Sequence, residues 1–333
     1  MSNTSLRIAA VIPLYNGAAY IRAALESVLS QTLMPSEIIV VNDGSTDDGP
    51  AIVEAMTSQH PITLLHKENG GQSSARNRGI AHSTADLIAL LDQDDVWYPN
   101  HLERMALYFR RPRIPELGWV YSNLDEIDEA GNIVVRGILN NVRTAHPKRD
   151  LFDCIAHDMF ILPSATLMSR RAFDAVGGFD ERLSGFEDDD LFLRMFRKGF
   201  DNIYIERALS QWRIFGTSAS FSPRMRRSRM VFFRKLVETC PDDPLRDRYP
   251  VMQYIAPRFF PWLVREYTDA VSRGDRAAIS AACDDLQYAA SLHNPRVRML
   301  MKLGLPLMRQ PGLAIACLPL IGSVRPMLRR VLR

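Results

Sequence analysis

The sequence predicts an α/β protein, a doubly wound and mostly parallel sheet with helices on both faces, followed by a helical C-terminal region. Three observations predict it. Between residues 7 and 99, apolar runs of strand length alternate with stretches of helical periodicity, the rhythm of a parallel sheet. Each early strand ends in a loop rich in Asp, Gly, Ser and Asn, at the edge where open α/β sheets bind ligands. From about Pro223 the pattern is helical and basic, with no strand signal.

The elements follow in order. Arg7–Pro13 reads as a strand, and Ala18–Gln31 as a helix with Ile21, Leu25, Val28 and Leu29 on one face. Glu37–Val41 is a second strand, followed by a helix near Gly49–Ser58. Ile62–His66 and Asp86–Leu91 are the third and fourth strands, flanking a helix over Ser73–His82. Further strands are expected at Trp119–Leu124, Asn132–Val135 and Leu162–Ser169, and a helix at Glu187–Lys198. This divides the chain into a sheet domain over 1–220, in halves of about 1–100 and 101–220, and a helical basic region over 221–333.

Composition narrows the classes. The chain has 333 residues, 47% hydrophobic and 24% charged, ordinary for a globular protein with ample core. Cys154, Cys240, Cys283 and Cys317 are widely spaced, which excludes a zinc ribbon or disulfide framework and fits a reducing, cytoplasmic setting. No signal peptide opens the chain, and no run of 18 apolar residues spans a bilayer. The net charge of +3 is uneven. From Ser291 to Arg333 there are eight basic residues and no acids; with the whole at +3 and this stretch at +8, the first 290 residues carry −5. Residues 296–333 mix those arginines with Leu, Met and Ile, a composition that suits an anionic membrane surface at the inner face of the cell membrane. A packed subdomain is the competing expectation. Pro306, Pro311, Pro319 and Pro326 are expected to prevent one long helix. Nucleic acid is an unlikely partner, because no aromatic residues interleave with the arginines.

The chemistry gathers in the strand-end loops. Ile88-Ala89-Leu90-Leu91 runs into Asp92-Gln93-Asp94-Asp95. Three acids within four residues repel one another unless a cation or ligand donors neutralise them. A hard divalent ion meets that need, since Mg²⁺ takes one or two carboxylates and completes its shell from substrate. The other loops are Pro13-Leu14-Tyr15-Asn16-Gly17, Asn42 to Gly49, and Asn69 to Gly79. No G-x-G-x-x-G follows the first strand and no P-loop is present, which excludes the usual dinucleotide and nucleotide-triphosphate motifs.

Taken together, VIPLYN (11–16), VVNDGSTDDG (40–49), NGGQSSARNRGI (69–80) and LLDQDD (90–95) resemble the donor-binding half of a family 2 glycosyltransferase with the GT-A fold. GGFDE (177–181) and GFEDDDL (185–191) resemble its acceptor half, so the likeness covers about residues 5–215. The resemblance implies inverting transfer from a nucleotide diphosphate sugar, most often a UDP-sugar, to a glycan or lipid-linked acceptor in cell-surface polysaccharide synthesis. By position it implies that Pro13, Tyr15, Asn16, Asp43, Gly44, Arg76, Asn77, Asp92 and Gln93 surround the donor. Asp94 would hold Mg²⁺ or Mn²⁺, and Asp188 would be the general base, kept ionised by a helix N-terminus. Glu187, Asp189 and Trp212 fall on the acceptor side. The family often has an R-x-H segment here, and Phe215 stands where its histidine would be, leaving Arg213 to serve the diphosphate. The alternative is a catalytically inactive sugar-nucleotide-binding scaffold, against which the presence of Asp94 and Asp188 argues.

Overall fold

The computed structural model describes residues 6–110, 114–214 and 223–310. In chain order the elements are β1 (Ile8–Leu14), α1 (Ile21–Leu29), β2 (Glu37–Asn42), α2 (Gly49–Thr57), β3 (Ile62–His66), α3 (Gln72–His82), β4 (Leu87–Leu90), β5 (Val96–Trp97), α4 (His101–Arg110), β6 (Leu117–Ile127) and β7 (Ile133–Val135). Then come α5 (Leu151–Ala156), β8 (Thr166–Ser169), α6 (Arg170–Ala175), α7 (Glu187–Arg197), β9 (Asp201–Arg213), α8 (Pro223–Thr239), α9 (Ala256–Ser272), α10 (Arg276–Ser291) and α11 (Pro295–Met308). The chain forms two compact units, residues 1–151 with 158–229, and residues 152–157 with 230–333.

The first unit holds the sheet, ordered β3-β2-β1-β4-β8-β6-β9-β5, with β7 added beside β6. β3, β2, β1 and β4 are parallel. Beyond β4 the sheet becomes mixed, since β8 is antiparallel to both β4 and β6, whereas β9 is parallel to β6. The chain leaves β1 towards β2 and β3, then returns to place β4 on the other side of β1. Loops after β1 and β4 therefore part in opposite directions, which opens the crevice where such sheets bind ligands.

Period-two alternation builds the two faces. Ile8, Ala10, Ile12 and Leu14 of β1 join one core with Ala24, Leu25 and Val28 of α1, Val53 and Met56 of α2, and Leu102 and Met105 of α4. Ile39 and Val41 of β2 face the other way, against Ala75 of α3. A β-carbon at Gly79 would lie 2.5 Å from Val11 Cγ1 and 3.0 Å from Val41 Cγ2. Only glycine lets α3 lie this close to the sheet. Pro13 lies past the last β1–β4 pair, Val11 with Leu90, so its missing N–H breaks no ladder bond on that side.

The elements β1 to β4, β6, β7, α1 to α3 and α7 match the sequence expectation to within a few residues. The strand expected over Leu162–Ser169 is confined to Thr166–Ser169, because Pro163–Ala165 forms a 3₁₀ turn opened by its proline. β5, α4, α6 and the 13-residue β9 have no counterpart in the expectation. β9 pairs with β6 through three register shifts, so its hydrophobic pattern lacks the regular alternation that marks a strand.

In the second unit α9 and α10 pack as an antiparallel pair around aromatic residues. Phe233 stacks on Phe259 at 4.7 Å between ring centroids, and Phe260 meets His293 edge-on at 5.6 Å. Asp275 caps α10 by accepting from Ala278 N–H, and Asn294 caps α11 by accepting from Val297 N–H. Pro306 does not stop α11, which continues to Met308. Its last turn is held from outside: Tyr267 Oη donates to Met308 O, and Arg309 pairs with Asp284. Pro311, Pro319, Pro326, Cys317 and Phe215 lie outside the described residues. No helix among the described residues is long and apolar enough to cross a membrane.

Candidate active site

The site is assembled at the carboxyl ends of β1, β2 and β4. After β1 the chain turns sharply, with Asn16 at φ 49°, a left-handed position that asparagine tolerates better than most residues. Asn16 Oδ1 accepts from Thr46 N–H and Oγ1, tying the first loop to the second. Tyr15, 43% exposed, is held through its backbone. Its N–H donates to Gln93 Oε1 and its carbonyl accepts from Gln93 Nε2. The Gln93 side chain thus latches the β1 loop to the β4 loop across the crevice, and leaves the Tyr15 ring facing outward.

Asp43, at the end of β2, is 2% exposed. Its Oδ1 accepts from Lys67 Nζ at 2.5 Å and Gly70 N–H at 2.9 Å, and Oδ2 accepts from Gly71 N–H at 2.8 Å. These charge-assisted bonds shape the turn into α3, in which Gly71 takes φ 89° and Gly44 takes φ 75°. The sequence expectation placed Asp43 and Gly44 around the donor. The structure puts them at the crevice, with most of the carboxylate's accepting capacity spent on the loop itself. Lys67, which makes this possible, carries no sequence signal beyond its place after β3.

Arg76 and Asn77 lie midway along α3, and the structure gives both a different environment from the one the sequence suggests. Arg76 is 1% exposed. It donates from one terminal nitrogen to Asp92 Oδ1 at 2.6 Å and from the other to Glu187 Oε1 at 2.9 Å. The Phe179 ring lies 5.4 Å from the guanidinium. Burial works against its charge, but Asp92 and Glu187 outweigh that and hold it protonated more firmly than usual. A guanidinium so enclosed is a strut between the acidic turn and α7. Asn77 spends its amide on the turn before α7: Nδ2 donates to Phe179 O and Glu181 Oε1, and Oδ1 accepts from Phe179 N–H.

The acidic turn follows β4. Asp92 Oδ1 also accepts from Gln72 Nε2, and Asp92 N–H donates to Ser164 Oγ. Asp94 is pushed up to about 6 by burial and by the charge of Asp92. Asp95, 2% exposed, is raised well above the carboxylate range by burial, then by Asp94 and Asp92. Its Oδ1 accepts from Arg213 N–H. Ser164 is the supporting residue that sequence reasoning missed. It sits in the 3₁₀ turn before β8, where its hydroxyl receives Asp92 N–H and its carbonyl receives Trp97 Nε1–H.

Arg213 does not stand free for a diphosphate in this structure. Its Nε donates to Asp94 O, its NH1 donates to Asp128 O and Glu129 O, and the guanidinium lies 4.8 Å from the Tyr20 ring centroid. At 6% exposure it pins the acidic turn to the β6–β7 loop. Trp212 is partly buried on β9, opposite Glu126 of β6.

α7 supplies the remaining acids. Phe186, its N-cap, takes φ 63°, a strained position for a bulky residue and one found most often at functional sites. Glu187, Asp188, Asp189 and Asp190 fill the first turn. Asp189 Oδ1 accepts from Met159 N–H, and Asp190 pairs with Arg194. Asp188 Oδ1 accepts the N–H of Asp189, and among the described residues Oδ2 is left for another partner. The sequence expectation that the helix N-terminus keeps Asp188 ionised is corrected here. Burial, then the charges of Glu187 and Asp189, push it well above the carboxylate range, against the weaker pull of Arg76. Such a carboxylate is a stronger base than an ordinary aspartate.

The acidic turn suits a hard divalent cation. Asp92 and Asp94 offer oxygen donors, and burial, then the neighbouring charge of Asp92, raise the affinity of Asp94 for a proton. Among the described residues no cluster of three or more acids, histidines or cysteines could hold an ion alone.

The sequence profile of Glycosyl transferase family 2 matches residues 9–177, about half the chain. An uncharacterised glycosyltransferase of Rickettsia prowazekii is 34% identical over 195 residues, 57% of this chain and 58% of its own length. One of Rickettsia conorii is 33% identical over 198 residues, 57% of this chain but only 31% of its own length. One of Bacillus subtilis is 32% identical over 190 residues, 57% of this chain and 68% of its own length. Among solved structures, S. aureus TarS 1–349 in complex with UDP-GlcNAc superposes with a TM-score of 0.64 at 15% identity, covering 91% of this chain and 88% of that one. The mannosyltransferase PcManGT from Pyrobaculum calidifontis, in complex with GDP-Man and Mn²⁺, gives a TM-score of 0.55 at 19% identity, covering 98% and 88%. These structures share the GT-A arrangement described above, and with the profile match the chain belongs to glycosyl transferase family 2.

Proposed function

We propose that the protein is an inverting glycosyltransferase that moves a sugar from a nucleotide diphosphate sugar to a hydroxyl of a glycan or lipid-linked acceptor. The observation that carries the reading is the joining of two carboxylate groups by one buried cation. Arg76 links Asp92 of the acidic turn to Glu187, the neighbour of Asp188. One end offers hard oxygens for a cation and diphosphate; the other presents a carboxylate with a free oxygen and raised basicity.

In the proposed reaction Asp188 Oδ2 takes the proton from the acceptor hydroxyl. The acceptor oxygen forms the new bond to the anomeric carbon as the bond from that carbon to the diphosphate oxygen breaks. The diphosphate leaves with the electron pair. Attack from the face opposite the leaving group inverts the anomeric centre. Asp94, with Asp92 beside it, would hold Mg²⁺ or Mn²⁺, which supplies charge against the developing diphosphate anion. Tyr15 offers an exposed ring to the nucleoside, and Gln93 fixes the loop that carries it. A UDP-sugar is the favoured donor. TarS is described with UDP-GlcNAc and PcManGT with GDP-Man, which makes these two donors the first to test. A role in cell-surface polysaccharide synthesis follows from a glycan acceptor.

The test is donor turnover by the purified protein with Mn²⁺ or Mg²⁺, read as released nucleoside diphosphate, for the wild type and for Asp188→Asn. Turnover by the wild type, lost in Asp188→Asn with donor binding kept, supports the reading. Donor binding without turnover under any cation identifies a sugar-nucleotide-binding scaffold instead.

A further inference from the structure

The outward face of α11 has a composition that a water-facing helix rarely carries. Its underside is anchored: Val297 is 3% and Leu305 7% exposed. The opposite side carries Met299 at 63%, Leu300 at 52%, Leu303 at 70% and Leu307 at 57% exposed. The spacing 299, 303, 307 and 300, 303, 307 puts these four side chains on one stripe. Residues 292–310 contain no acid, and Arg296, Arg298 and Lys302 on the same helix are exposed. Arg309 is the exception, since Asp284 pairs with it. Both ends of the helix are fixed, by the Asn294 cap and by the Tyr267 and Asp284 contacts. The stripe is therefore held out on a secured helix.

We propose that this face of α11 docks on an anionic lipid bilayer. Arg296 on the stripe and Lys302 at its flank meet the headgroups, and the Met299, Leu300, Leu303 and Leu307 side chains enter the boundary between headgroups and acyl chains. Charge complementarity selects this occupant. A helix that packs on a second copy of itself would bring the same basic residues together without an acid to offset them, whereas an anionic membrane supplies the missing charge. The proposal does not depend on the transfer reaction. It adds to the reading of a lipid-linked acceptor a physical means of reaching one.

The experiment uses the full chain without donor or metal. Co-sedimentation is measured with phosphatidylcholine vesicles and with vesicles containing phosphatidylglycerol, at low and high salt. The wild type is expected to pellet with the anionic vesicles at low salt and to be released at high salt, where screening shortens the reach of the field. Arg296→Gln/Lys302→Gln is expected to weaken binding roughly twenty-five-fold, about fivefold per charge removed. Leu303→Glu/Leu307→Glu is expected to abolish retention with an unchanged melting temperature, since both side chains are exposed. Wild type that stays in the supernatant with anionic vesicles overturns the proposal. So does binding that ignores lipid charge, or a Leu303→Glu/Leu307→Glu variant that only converts a dimer to a monomer. If the leucine variant unfolds, the Arg296→Gln/Lys302→Gln variant carries the decision alone.

Discussion

Replacing Arg76 by methionine tests whether this residue is the strut between the two acidic elements. Methionine keeps most of the stem and removes the charge. The guanidinium is 1% exposed and makes ion pairs of 2.6 Å to Asp92 and 2.9 Å to Glu187. Removing one partner of a buried pair costs about 3–5 kcal/mol, because the other charge is left uncompensated. The Asp92 side chain is 24% exposed and can rehydrate, while that of Glu187 is 10% exposed and cannot do so fully. The expected loss is therefore about 4 kcal/mol, near the middle of that range. For a unit of this size each kcal/mol lowers the melting temperature by about 2–4 °C, so the shift should be about 8–16 °C. Urea unfolding measures it. Arg76→Lys should recover part of the stability, since one ammonium cannot replace a planar fork between two acids. The alternative from sequence position, a nucleoside ligand, predicts weaker UDP binding with stability intact. An Arg76→Met protein that loses under about 1 kcal/mol would refute the strut.

Other expectations concern the acids. Asp188→Asn should leave UDP affinity within about twofold and lower turnover roughly a hundredfold or more, the scale of general-base loss; a collapse of UDP affinity would make Asp188 a donor ligand. Asp94 lies at about 6 without a cation, so isothermal titration should find Mn²⁺ affinity falling as pH drops through that value, with proton release on binding; affinity that stays flat from pH 5 to 8 contradicts the assignment. The raised Asp188 has a sign of its own. Its proton affinity is higher in the folded state, so its ionised form costs stability, a penalty absent below the ordinary carboxylate range and complete once pH exceeds the raised value. Asp188→Asn should therefore gain stability relative to wild type at pH 8 and not at pH 3, as denaturant melts would show. Asp43→Asn should cost about 1.5–3 kcal/mol, because the new amide cannot accept all three donors that Lys67, Gly70 and Gly71 present.

The sequence by itself determined the parallel half of the sheet and the identity of its loops. β1 to β4 are local units, each a buried apolar run feeding a polar turn, and that pattern reads directly because every residue in such a strand is enclosed. It also marked the acidic turn and the acidic start of α7, since clustered carboxylates have few innocent explanations. What each residue does was decided by contacts 70 to 120 positions apart. Gln93 meets Tyr15, Arg76 meets Glu187, Ser164 meets Asp92, and Arg213 meets Asp94 and Asp95. No local pattern encodes these pairings. Arg76 and Arg213 lie in motif positions that favour ligand contact, yet burial turns both into internal struts. The raised basicity of Asp188 arose in the same way, because the helix N-terminus was legible in the sequence and the low-dielectric surround that outweighs it was not. The composition of 296–333 announced a surface-seeking segment, but only the packing of Val297 and Leu305 showed which side of α11 faces outward.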